Sequence, residues 1–529
     1  MSGQRVLALY ALLVGCFAAV VCRLYWLCSN PTYAARAAAQ SVVTLSLPAR
    51  RGNFYDCDGH LLTGLGTKWE ALCVPGGGNY ARLFACTDAA GQALLYQKRN
   101  ALSPFLLEVD RDVSALGISC WPVAERYAAA PLAVHLIGYV DGEGTGAAGL
   151  EAMFNAELTG TGEGDTLICT INAQGRLRGE PEQTHTDSGA VGIQLTLSRS
   201  AQRAAEAVAA RMMTTGCIVV LDTTSAQVRA CVSVPEYDPA HPEESLTAPD
   251  SPMLNRAFQS YAVGSVFKPV LAAAALEAGE TGLVYTCPGW CEVDGQVFRC
   301  AGGIPHGEVD LAAALEKSCN GYFIRLGQAL GAERVRSMAE AVGFGQAVEL
   351  TDTFRTSAGV LPERDALASS GAYANFCFGQ GELLAVPVQV AGMLNALVTG
   401  TCRTPLFLQG TLDEATGEPR TTLAHRDARP VVSKATAAAL RTLLAGVVEN
   451  GTGHEAALPE TTAAGKTGTA QTGQFREGTE LKNSWFAGVF PAEQPRYTIV
   501  VLQDAQTEPA HSSAAIFAAL AEMLENLAL

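Results

Sequence analysis

The chain has 529 residues, of which 48% are hydrophobic and 17% are charged, and its formal net charge is −16. This composition supplies enough apolar surface for two or more hydrophobic cores and excludes a disordered chain. The negative charge, together with the lack of a basic patch or an aromatic-basic module in the sequence, excludes the common classes of nucleic-acid-binding protein.

The N-terminus carries an uncharged apolar run from Val6 to Cys22, which continues past Arg23 to Leu27. This length predicts a transmembrane anchor over residues 6–27, preceded by a short cytoplasmic flank at residues 1–5. A cleaved signal peptide is the alternative, because Ala35-Arg-Ala37 resembles a cleavage site. That site lies far from the apolar run, so an uncleaved anchor is favoured.

Residues 28–188 contain short β-like runs, at Ser41–Leu47 and Thr166–Ile171, joined by glycine-rich connections. This pattern predicts an extended, β-rich pedestal domain. The polar stretch Glu180–Gly189 is predicted to be a linker.

Residues 189–529 are predicted to form an α+β domain, an antiparallel sheet flanked by helices. Ala201–Met212 has a helical pattern, and a last helix places one apolar face after Ser512 and Ser513, which are typical N-cap residues. That face consists of Ile516, Leu520, Met523, Leu524 and Leu527. The predicted strands form two pairs, Cys217–Leu221 with Val228–Val234 and Ser484–Val489 with Tyr497–Leu502.

Three short motifs occur in this domain in a fixed order: Ser265-Val-Phe-Lys268, Ser318-Cys-Asn320 and Lys466-Thr-Gly-Thr469. Each motif alone is weak, since a Ser-x-Asn is commonly a helix cap or a turn. The apolar residues that follow Lys268 indicate a buried helix. The ordered set of three motifs predicts serine acyl transfer.

The chemistry explains the residue types. On a helix, Lys268 lies beside Ser265 and can take its hydroxyl proton if burial lowers the pKa of the lysine. Ser318 and Asn320 are expected to relay the proton and to hold the substrate backbone. Gly468 leaves room for a substrate along a strand edge, and the backbone N–H groups of Ser265 and Thr469 could form an oxyanion hole.

With these motifs the chain resembles a class B penicillin-binding protein, over roughly residues 40 to 505. The resemblance extends to segments outside the motifs: Arg51–Gly59, His135–Tyr139, Gly149–Glu151, Leu221–Asp222, Ser233–Pro239, Asn255–Ala257, Gly379–Gly381 and Pro387–Gln389. Two departures stand out. Cys57 replaces the usual arginine, and Ala262-Val-Gly-Ser265 replaces the usual Glu-Pro-Gly-Ser.

The resemblance implies a penicillin-sensitive peptidoglycan D,D-transpeptidase with a serine-β-lactamase-like domain. It assigns catalysis to Ser265, Lys268, Ser318, Asn320 and Lys466. It also assigns substrate binding and the oxyanion hole to Thr467, Gly468 and Thr469. Peptidoglycan stem peptides and β-lactams are the implied ligands, and the implied partner is a membrane polymerase, because no polymerising domain is recognisable. The catalytic domain is expected on the outer side of the cell membrane.

Three alternatives stay open. A D,D-carboxypeptidase would use water in place of the acceptor amine. The commonest serine β-lactamases need a glutamate two residues before a Leu-Asn pair, but Ala391 occupies that place before Leu394-Asn395. A non-enzymatic β-lactam sensor or division scaffold is the third.

The sequence predicts no metal site and no cofactor, because no cluster of His and Cys has the spacing of a zinc site. Among the sixteen cysteines, Cys287, Cys291 and Cys300 share a loop-rich stretch. A Cys287–Cys300 disulfide and free thiols are both compatible with that stretch. His135 and His306 are expected to be structural histidines with satisfied hydrogen bonds.

Overall fold

A computed structural model describes residues 3–48, 51–74, 78–127, 129–161, 164–172, 174–186, 189–351, 353–414, 416–423 and 428–527. The chain divides into two compact units. The smaller unit comprises residues 1–51, 64–126 and 159–190, and the larger unit comprises residues 52–63, 127–158 and 191–529. Two segments of the predicted pedestal, 52–63 and 127–158, therefore belong to the larger unit. The assignment of residues 28–188 to a pedestal stays a prediction.

The smaller unit begins with the apolar helix Gly3–Ser29, which extends beyond both ends of the predicted anchor. Its apolar side chains are exposed, as lipid-facing residues would be. Within the described part of the chain it is the one helix long and apolar enough to cross a membrane. A signal sequence near the N-terminus would have the same properties.

Two three-stranded antiparallel sheets and several short helices follow in the smaller unit. One has the order Val42–Ser46, Thr166–Thr170, Glu182–Thr184, and the other Phe105–Val109, Gly66–Cys73, Cys120–Glu125. The helices are Pro31–Gln40, Tyr80–Leu83, Ala89–Gln97 and the 3-10 turn Ser114–Leu116. The predicted β-like runs near residues 42 and 166 are thus confirmed as paired strands.

The prediction of a linker over Glu180–Gly189 is wrong for residues 182–184, which form the third strand of the first sheet. This strand lies at the sheet edge and is mostly exposed, so it carries polar residues and has no hydrophobic alternation in its sequence.

The larger unit is built on a five-stranded antiparallel sheet. Its strands are β1 (Gly216–Asp222), β2 (Val228–Val234), β3 (Ala464–Arg476), β4 (Thr479–Phe490) and β5 (Tyr497–Gln506), in the order β2-β1-β5-β4-β3. Both predicted strand pairs are confirmed, with Val232 opposite Ile218 and Phe486 opposite Val501. Strand β3 is at the edge of this sheet.

Helices cover both faces of the sheet. The main helices are α1 (Arg199–Met212), α2 (Lys268–Ala278), α3 (Asn320–Leu330), α4 (Pro387–Thr399), α5 (Lys434–Glu449) and α6 (Ser513–Asn526). Helices α1 and α6 share a core with Ile218 and Val220 of β1, whereas Cys217, Val219 and Leu221 face the core that contains α2 and α4. The α+β class predicted from the sequence is therefore confirmed.

The two predicted helices α1 and α6 both begin at serine caps, and α1 begins two residues before the predicted start at Ala201. Ser198 Oγ accepts a hydrogen bond from Ala201 N, and Ser512 Oγ accepts one from Ala515 N. On α6 the buried face is narrower than predicted, because Met523 is 38% exposed.

The remaining elements of this part of the chain are short. A second sheet has the order Pro419–Thr422, Leu408–Asp413, Val191–Leu195, Phe54–Tyr55. The two-stranded pairs are Tyr261–Ala262 with Leu384–Ala385, Tyr285–Cys287 with Gly307–Val309, Trp290–Val293 with Gln296–Arg299, and Thr401–Cys402 with Arg429–Pro430. The helices are Val134–Ile137, Gly149–Met153, Asn155–Thr159, Leu311–Glu316, Ala332–Ala341 and Ser370–Phe376, and the 3-10 turns are Pro242–Ser245, Arg256–Phe258, Gly264–Phe267, Ala301–Gly303, Ala366–Ala368 and His454–Ala456.

The expectation for His135 is confirmed. Its Nε2 lies 2.6 Å from the carbonyl oxygen of Pro252, and burial lowers the pKa of the imidazole to about 4. This histidine is neutral and structural.

Candidate active site

Ser265 lies in the 3-10 turn Gly264–Phe267, immediately before helix α2. In a 3-10 turn residues three apart lie directly above one another, so the spacing places Ser265 and Lys268 on one face. The Ser265 carbonyl accepts the backbone N–H of Lys268. Ser265 is half-buried, whereas its neighbours Val266 and Phe267 are buried, so the serine is the residue of this turn that faces outward.

Gly264 holds this turn against two other parts of the domain. It has a φ of +63°, and a Cβ at this position would lie 2.7 Å from the carbonyl oxygen of Thr469 on β3. Its N–H donates a 2.8 Å hydrogen bond to the carbonyl of Gly379 in the Gly379–Gly381 segment. Glycine is therefore required here for both conformation and close approach.

Lys268 is the first residue of α2 and is fully buried. Its Nζ donates 2.7 Å hydrogen bonds to the Ser318 carbonyl and to Asn320 Oδ1, and it lies 3.1 Å from Ser318 Oγ. Burial lowers the pKa of Lys268 to about 7, because the ammonium loses its hydration, although neighbouring Cys319 and Cys300 oppose the shift. The lysine can therefore act as a base near neutral pH.

Ser318 lies between two helices and has a left-handed backbone, with a φ of +54°. This conformation is uncommon for a residue other than glycine, asparagine or aspartate. Asn320 begins helix α3, and its Nδ2 donates a 2.9 Å hydrogen bond to the Arg299 carbonyl. The Asn320 amide is thus fixed with its oxygen toward Lys268.

Lys466 projects from strand β3 and is also fully buried. Its Nζ donates a 3.1 Å hydrogen bond to Ser318 Oγ and lies 3.3 Å from Thr467 Oγ1. Burial lowers the pKa of Lys466 well below the usual value, and the positive charge of Lys268 adds to this shift. Both lysines of the site therefore lose a proton more readily than an exposed lysine does.

Gly468 and Thr469 follow Lys466 along β3. A Cβ at Gly468 would lie 2.9 Å from Val266 Cγ1 and 3.2 Å from the Val263 carbonyl oxygen. Gly468 is therefore required because it packs against the Ser265 turn. The sequence analysis predicted a different reason, that Gly468 leaves room for a substrate. The Thr469 side chain is exposed, and the outer edge of β3 has no neighbouring strand in the described sheet.

The structure brings all three motifs together. Ser318 Oγ lies 3.1 Å from both Lys268 Nζ and Lys466 Nζ, and the Thr469 backbone lies against the Ser265 turn. The site thus combines a half-buried serine, two amines with lowered pKa values and a second hydroxyl. Acyl transfer requires a nucleophile, a base and donors for the oxyanion.

The place where a β-lactamase would carry its glutamate is a buried part of the core. Ala391 and Asn395 lie on helix α4, and both are fully buried. The Asn395 Oδ1 accepts a hydrogen bond from Thr498 Oγ1. Asn395 thus has a structural partner in strand β5.

Sequence reasoning missed one group of residues beside this site. Cys287, Cys300, His306 and Cys319 place their side-chain donor atoms within 4.8 Å of one another. The Cys287 and Cys300 sulfurs are 3.7 Å apart and are thiols, because a disulfide requires about 2.05 Å. The signal in the sequence that could have revealed this group was Cys319, a cysteine at the centre of the second motif.

Comparison with known proteins places the chain in a family. The model of the penicillin binding protein transpeptidase domain matches residues 216–522, which include all three motifs. The chain belongs to this family. The match also covers the whole five-stranded sheet and residues 513–522 of α6.

The chain is similar to two curated relatives. Stage V sporulation protein D of Bacillus subtilis is 28% identical over 415 residues, which are 75% of this chain and 63% of that protein. The peptidoglycan D,D-transpeptidase PbpA of Mycobacterium tuberculosis is 31% identical over 309 residues, 54% of this chain and 61% of that protein. The chain thus spans less than two thirds of the length of these relatives.

Solved structures share the fold over most of the chain. Penicillin binding protein 3 of Mycobacterium tuberculosis, complexed with aztreonam, matches with a TM-score of 0.67 and 25% identity, covering 92% of this chain and 98% of that one. A chain of a peptidoglycan synthase complex matches with a TM-score of 0.69 and 23% identity, covering 99% and 98%. The second likeness concerns the fold alone.

Proposed function

We propose that this protein is a serine D,D-transpeptidase that cross-links peptidoglycan. The observation that carries the proposal is the position of Ser318 Oγ, 3.1 Å from the Nζ atoms of both Lys268 and Lys466. This contact joins the three motifs into one proton-transfer network around the Ser265 turn. The names of the relatives, which include a peptidoglycan D,D-transpeptidase, support the same reaction.

In the first half of the reaction Ser265 Oγ attacks the carbonyl carbon of the penultimate D-Ala of a stem peptide. Lys268 accepts the hydroxyl proton. Its two short hydrogen bonds to the Ser318 carbonyl and to Asn320 use both protons of a neutral amine, which leaves the lone pair to accept a proton. Ser318 Oγ, 3.1 Å from the same Nζ, can relay the Ser265 proton to it. The N–H groups of Ser265 and Thr469 stabilise the oxyanion.

The tetrahedral intermediate collapses when the C–N bond to the terminal D-Ala breaks. The leaving amine takes up a proton, which Ser318 relays from the network of Lys268 and Lys466. An amine of a second stem peptide then attacks the ester carbonyl, loses a proton to the same network, and releases Ser265 with its hydroxyl restored. Serine and the lysines supply nucleophile and base, so the proposed steps use no cofactor.

Thr467, Gly468 and Thr469 are proposed to bind the substrate along the free edge of β3. An extended stem peptide would add to this edge as a further strand. A β-lactam would occupy the same edge and acylate Ser265. Ala391 offers no carboxylate to activate water, so this acyl-enzyme is expected to persist.

We also propose the cellular arrangement. Helix Gly3–Ser29 would be a single membrane anchor, residues 28–188 a pedestal, and the catalytic domain extracytoplasmic, because the proposed substrate is part of the cell wall. A membrane polymerase is the proposed partner. Support comes from the peptidoglycan synthase complex with the same fold, which is described as coordinating polymerization and crosslinking.

The test uses full-length protein in detergent with lipid II, with and without a separate glycan polymerase. The proposal expects no glycan chains from this protein alone and penicillin-sensitive cross-links when the polymerase is added. Mass spectrometry of the digested product separates the alternatives. Trimmed but uncross-linked stems would establish a D,D-carboxypeptidase, and polymer made without the partner would overturn the class B assignment.

A further inference from the structure

Four ligating side chains converge next to the second motif. The Sγ atoms of Cys300 and Cys319 are 4.0 Å apart, those of Cys287 and Cys300 are 3.7 Å apart, and the Cys287 Sγ lies 3.6 Å from His306 Nδ1. A tetrahedral zinc ion with Zn–S bonds of about 2.3 Å and Zn–N bonds of about 2.0–2.1 Å separates two sulfurs by about 3.8 Å and sulfur from nitrogen by about 3.6 Å. Three of the donor pairs therefore have nearly the spacing of such a site, and all four donor atoms lie within 4.8 Å of one another.

From these distances we propose that Cys287, Cys300, His306 and Cys319 bind one structural Zn²⁺ ion. Three cysteines and one histidine form a common donor set of closed, structural zinc sites. Thiolate ligands also select zinc over the hard cations Mg²⁺ and Ca²⁺. Each thiol releases its proton when the ion binds. This proposal replaces the expectation of no metal site, which rested on sequence spacing alone.

The surroundings of the sulfurs suit thiolates. The three cysteines are buried, with exposures of 1%, 3% and 0%. Gly289 N donates to Cys287 Sγ at 3.4 Å, and Tyr322 N donates to Cys319 Sγ at 3.4 Å. Backbone N–H groups that donate to coordinating sulfur are typical outer-shell interactions of metal sites.

The ligands come from separate elements of the chain, most of which are short. Cys287 ends the strand Tyr285–Cys287, His306 immediately precedes its partner strand Gly307–Val309, and Cys300 follows the hairpin strand Gln296–Arg299. Cys319 is the N-cap of α3. Cross-linking several short elements through one ion is the usual role of a structural zinc site, since such elements bury little apolar surface of their own.

The position of Cys319 gives the ion a consequence for the proposed active site. Cys319 lies between Ser318 and Asn320, so a bond from its sulfur to zinc would fix the backbone that carries both side chains. The residues on either side of this segment also bond to the backbone beside the ligands. Lys317 Nζ donates a hydrogen bond to the His306 carbonyl, and Asn320 Nδ2 donates one to the Arg299 carbonyl. Cys319 and the ion are thus positioning groups, which act on acylation through Ser318 and Asn320. This consequence rests on the proposed function, whereas the zinc site itself does not.

The primary test measures the metal directly. Full-length protein, purified in detergent without chelator and dialysed against a trace of ZnCl₂, is expected to retain one zinc per chain by inductively coupled plasma mass spectrometry. Replacing zinc with Co²⁺ should give thiolate-to-metal charge-transfer bands and the intense visible absorption of a tetrahedral site. Absence of both bound zinc and these bands, or a Cys287–Cys300 disulfide found by peptide mapping, would overturn the proposal.

Variants locate the site. Cys287→Ser and His306→Ala should lose the bound zinc, whereas Cys291→Ser should retain it. Cys291 is the matched control because it is as buried as Cys287 and lies in the next strand along the chain, Trp290–Val293, but its sulfur contacts the Glu292 carbonyl and is outside the four-residue group. Equal loss of zinc in Cys291→Ser would contradict the assignment. The cobalt spectrum of the unaltered chain keeps the test valid if a variant fails to fold.

A second readout separates this inference from the proposed reaction. Removing zinc with a chelator should slow acylation by a fluorescent penicillin, and adding Zn²⁺ back should restore the rate. If zinc is bound but its removal leaves acylation unchanged, the site is real and its positioning role is wrong. If zinc is bound and no acylation occurs at all, the proposed function fails while the metal site stands.

Discussion

Asn320 Oδ1 lies 2.7 Å from Lys268 Nζ, so the second motif directly contacts the base proposed in the first. The Asn320 amide nitrogen donates a hydrogen bond to the Arg299 carbonyl, so the amide oxygen is the atom that faces the lysine. A neutral acceptor at this position orients Lys268 without adding a negative charge that would stabilise its ammonium form. This relationship makes the protonation state of Lys268 testable.

The first prediction concerns pH. The pKa of Lys268 is lowered to about 7, and only the neutral amine can accept the Ser265 proton. The acylation rate constant for a penicillin should therefore rise as pH increases through about 7 and level off above it. Stopped-flow measurements between pH 5.5 and 9 would show this rise, the ascending limb of the pH–rate profile for acylation. A rate that is flat over this range contradicts an essential amine that titrates near neutrality.

The second prediction uses Asn320→Asp. A carboxylate close to Lys268 favours the ammonium form, so the pKa of the lysine should rise and the acylation limb should move to higher pH. A rise of one pKa unit should slow acylation about 5-fold at pH 7, where Lys268 is half-protonated in the unaltered protein, and about 10-fold well below pH 7. Recovery at alkaline pH distinguishes this effect from misfolding. If the acylation rate of the variant rises over the same pH range as in the unaltered protein, Asn320 does not face the base.

The third prediction concerns the base itself. Lys268→Met retains the apolar stem and removes the amine, so acylation should slow by about 10²–10⁴-fold. Reversible binding of the β-lactam should persist, because the strand edge is unchanged. Lys434→Met is the control, since Lys434 is exposed at the start of α5. Equal acylation rates for Lys268→Met and the unaltered protein would disprove the assignment.

A fourth prediction compares two glycines with left-handed backbones. Gly264 and Gly279 have φ values of +63° and +73°, but only at Gly264 would a Cβ meet another backbone atom, Thr469 O at 2.7 Å. Substitution by alanine should cost about 1–2 kcal/mol at either position from backbone strain. Gly264→Ala should additionally displace the Ser265 turn from β3.

Urea denaturation and penicillin labelling together test this comparison. Gly279→Ala should be modestly destabilised yet acylate normally. Gly264→Ala should lose more stability and nearly all acylation. If both variants acylate equally, close approach of Gly264 to Thr469 does not position the nucleophile.

Much of the fold followed from local patterns. The buried strand Cys217–Leu221 is a continuous apolar run, and Tyr497–Leu502 is apolar apart from Thr498. The serine cap predicted at Ser512 marks a helix start that the structure has. Edge strand Glu182–Thr184 was missed because an exposed strand needs no apolar alternation. Period and capping are local signals, whereas sheet membership at an edge is not.

The candidate site was predictable for a different reason. Short motifs fix which residues belong to it, but not the contacts between them. The convergence of Lys268 and Lys466 on Ser318 Oγ joins residues that are 50 and 148 positions from Ser318 in sequence, which no local pattern encodes. The cysteine and histidine cluster was missed for the same reason, since its donors are brought together by strand pairing between Cys287 and Gly307 and by the N-cap of α3.

The central claim is that Ser265 is the nucleophile of a penicillin-sensitive acyl-enzyme. Full-length protein should be incubated with a penicillin, digested, and mapped by mass spectrometry, in parallel with a Ser265→Ala variant shown to be folded by its urea denaturation curve. We predict one penicilloyl adduct per chain, on the peptide that contains Ser265, and no adduct on the variant. An adduct on another residue, or covalent labelling of the folded Ser265→Ala protein, would contradict the account.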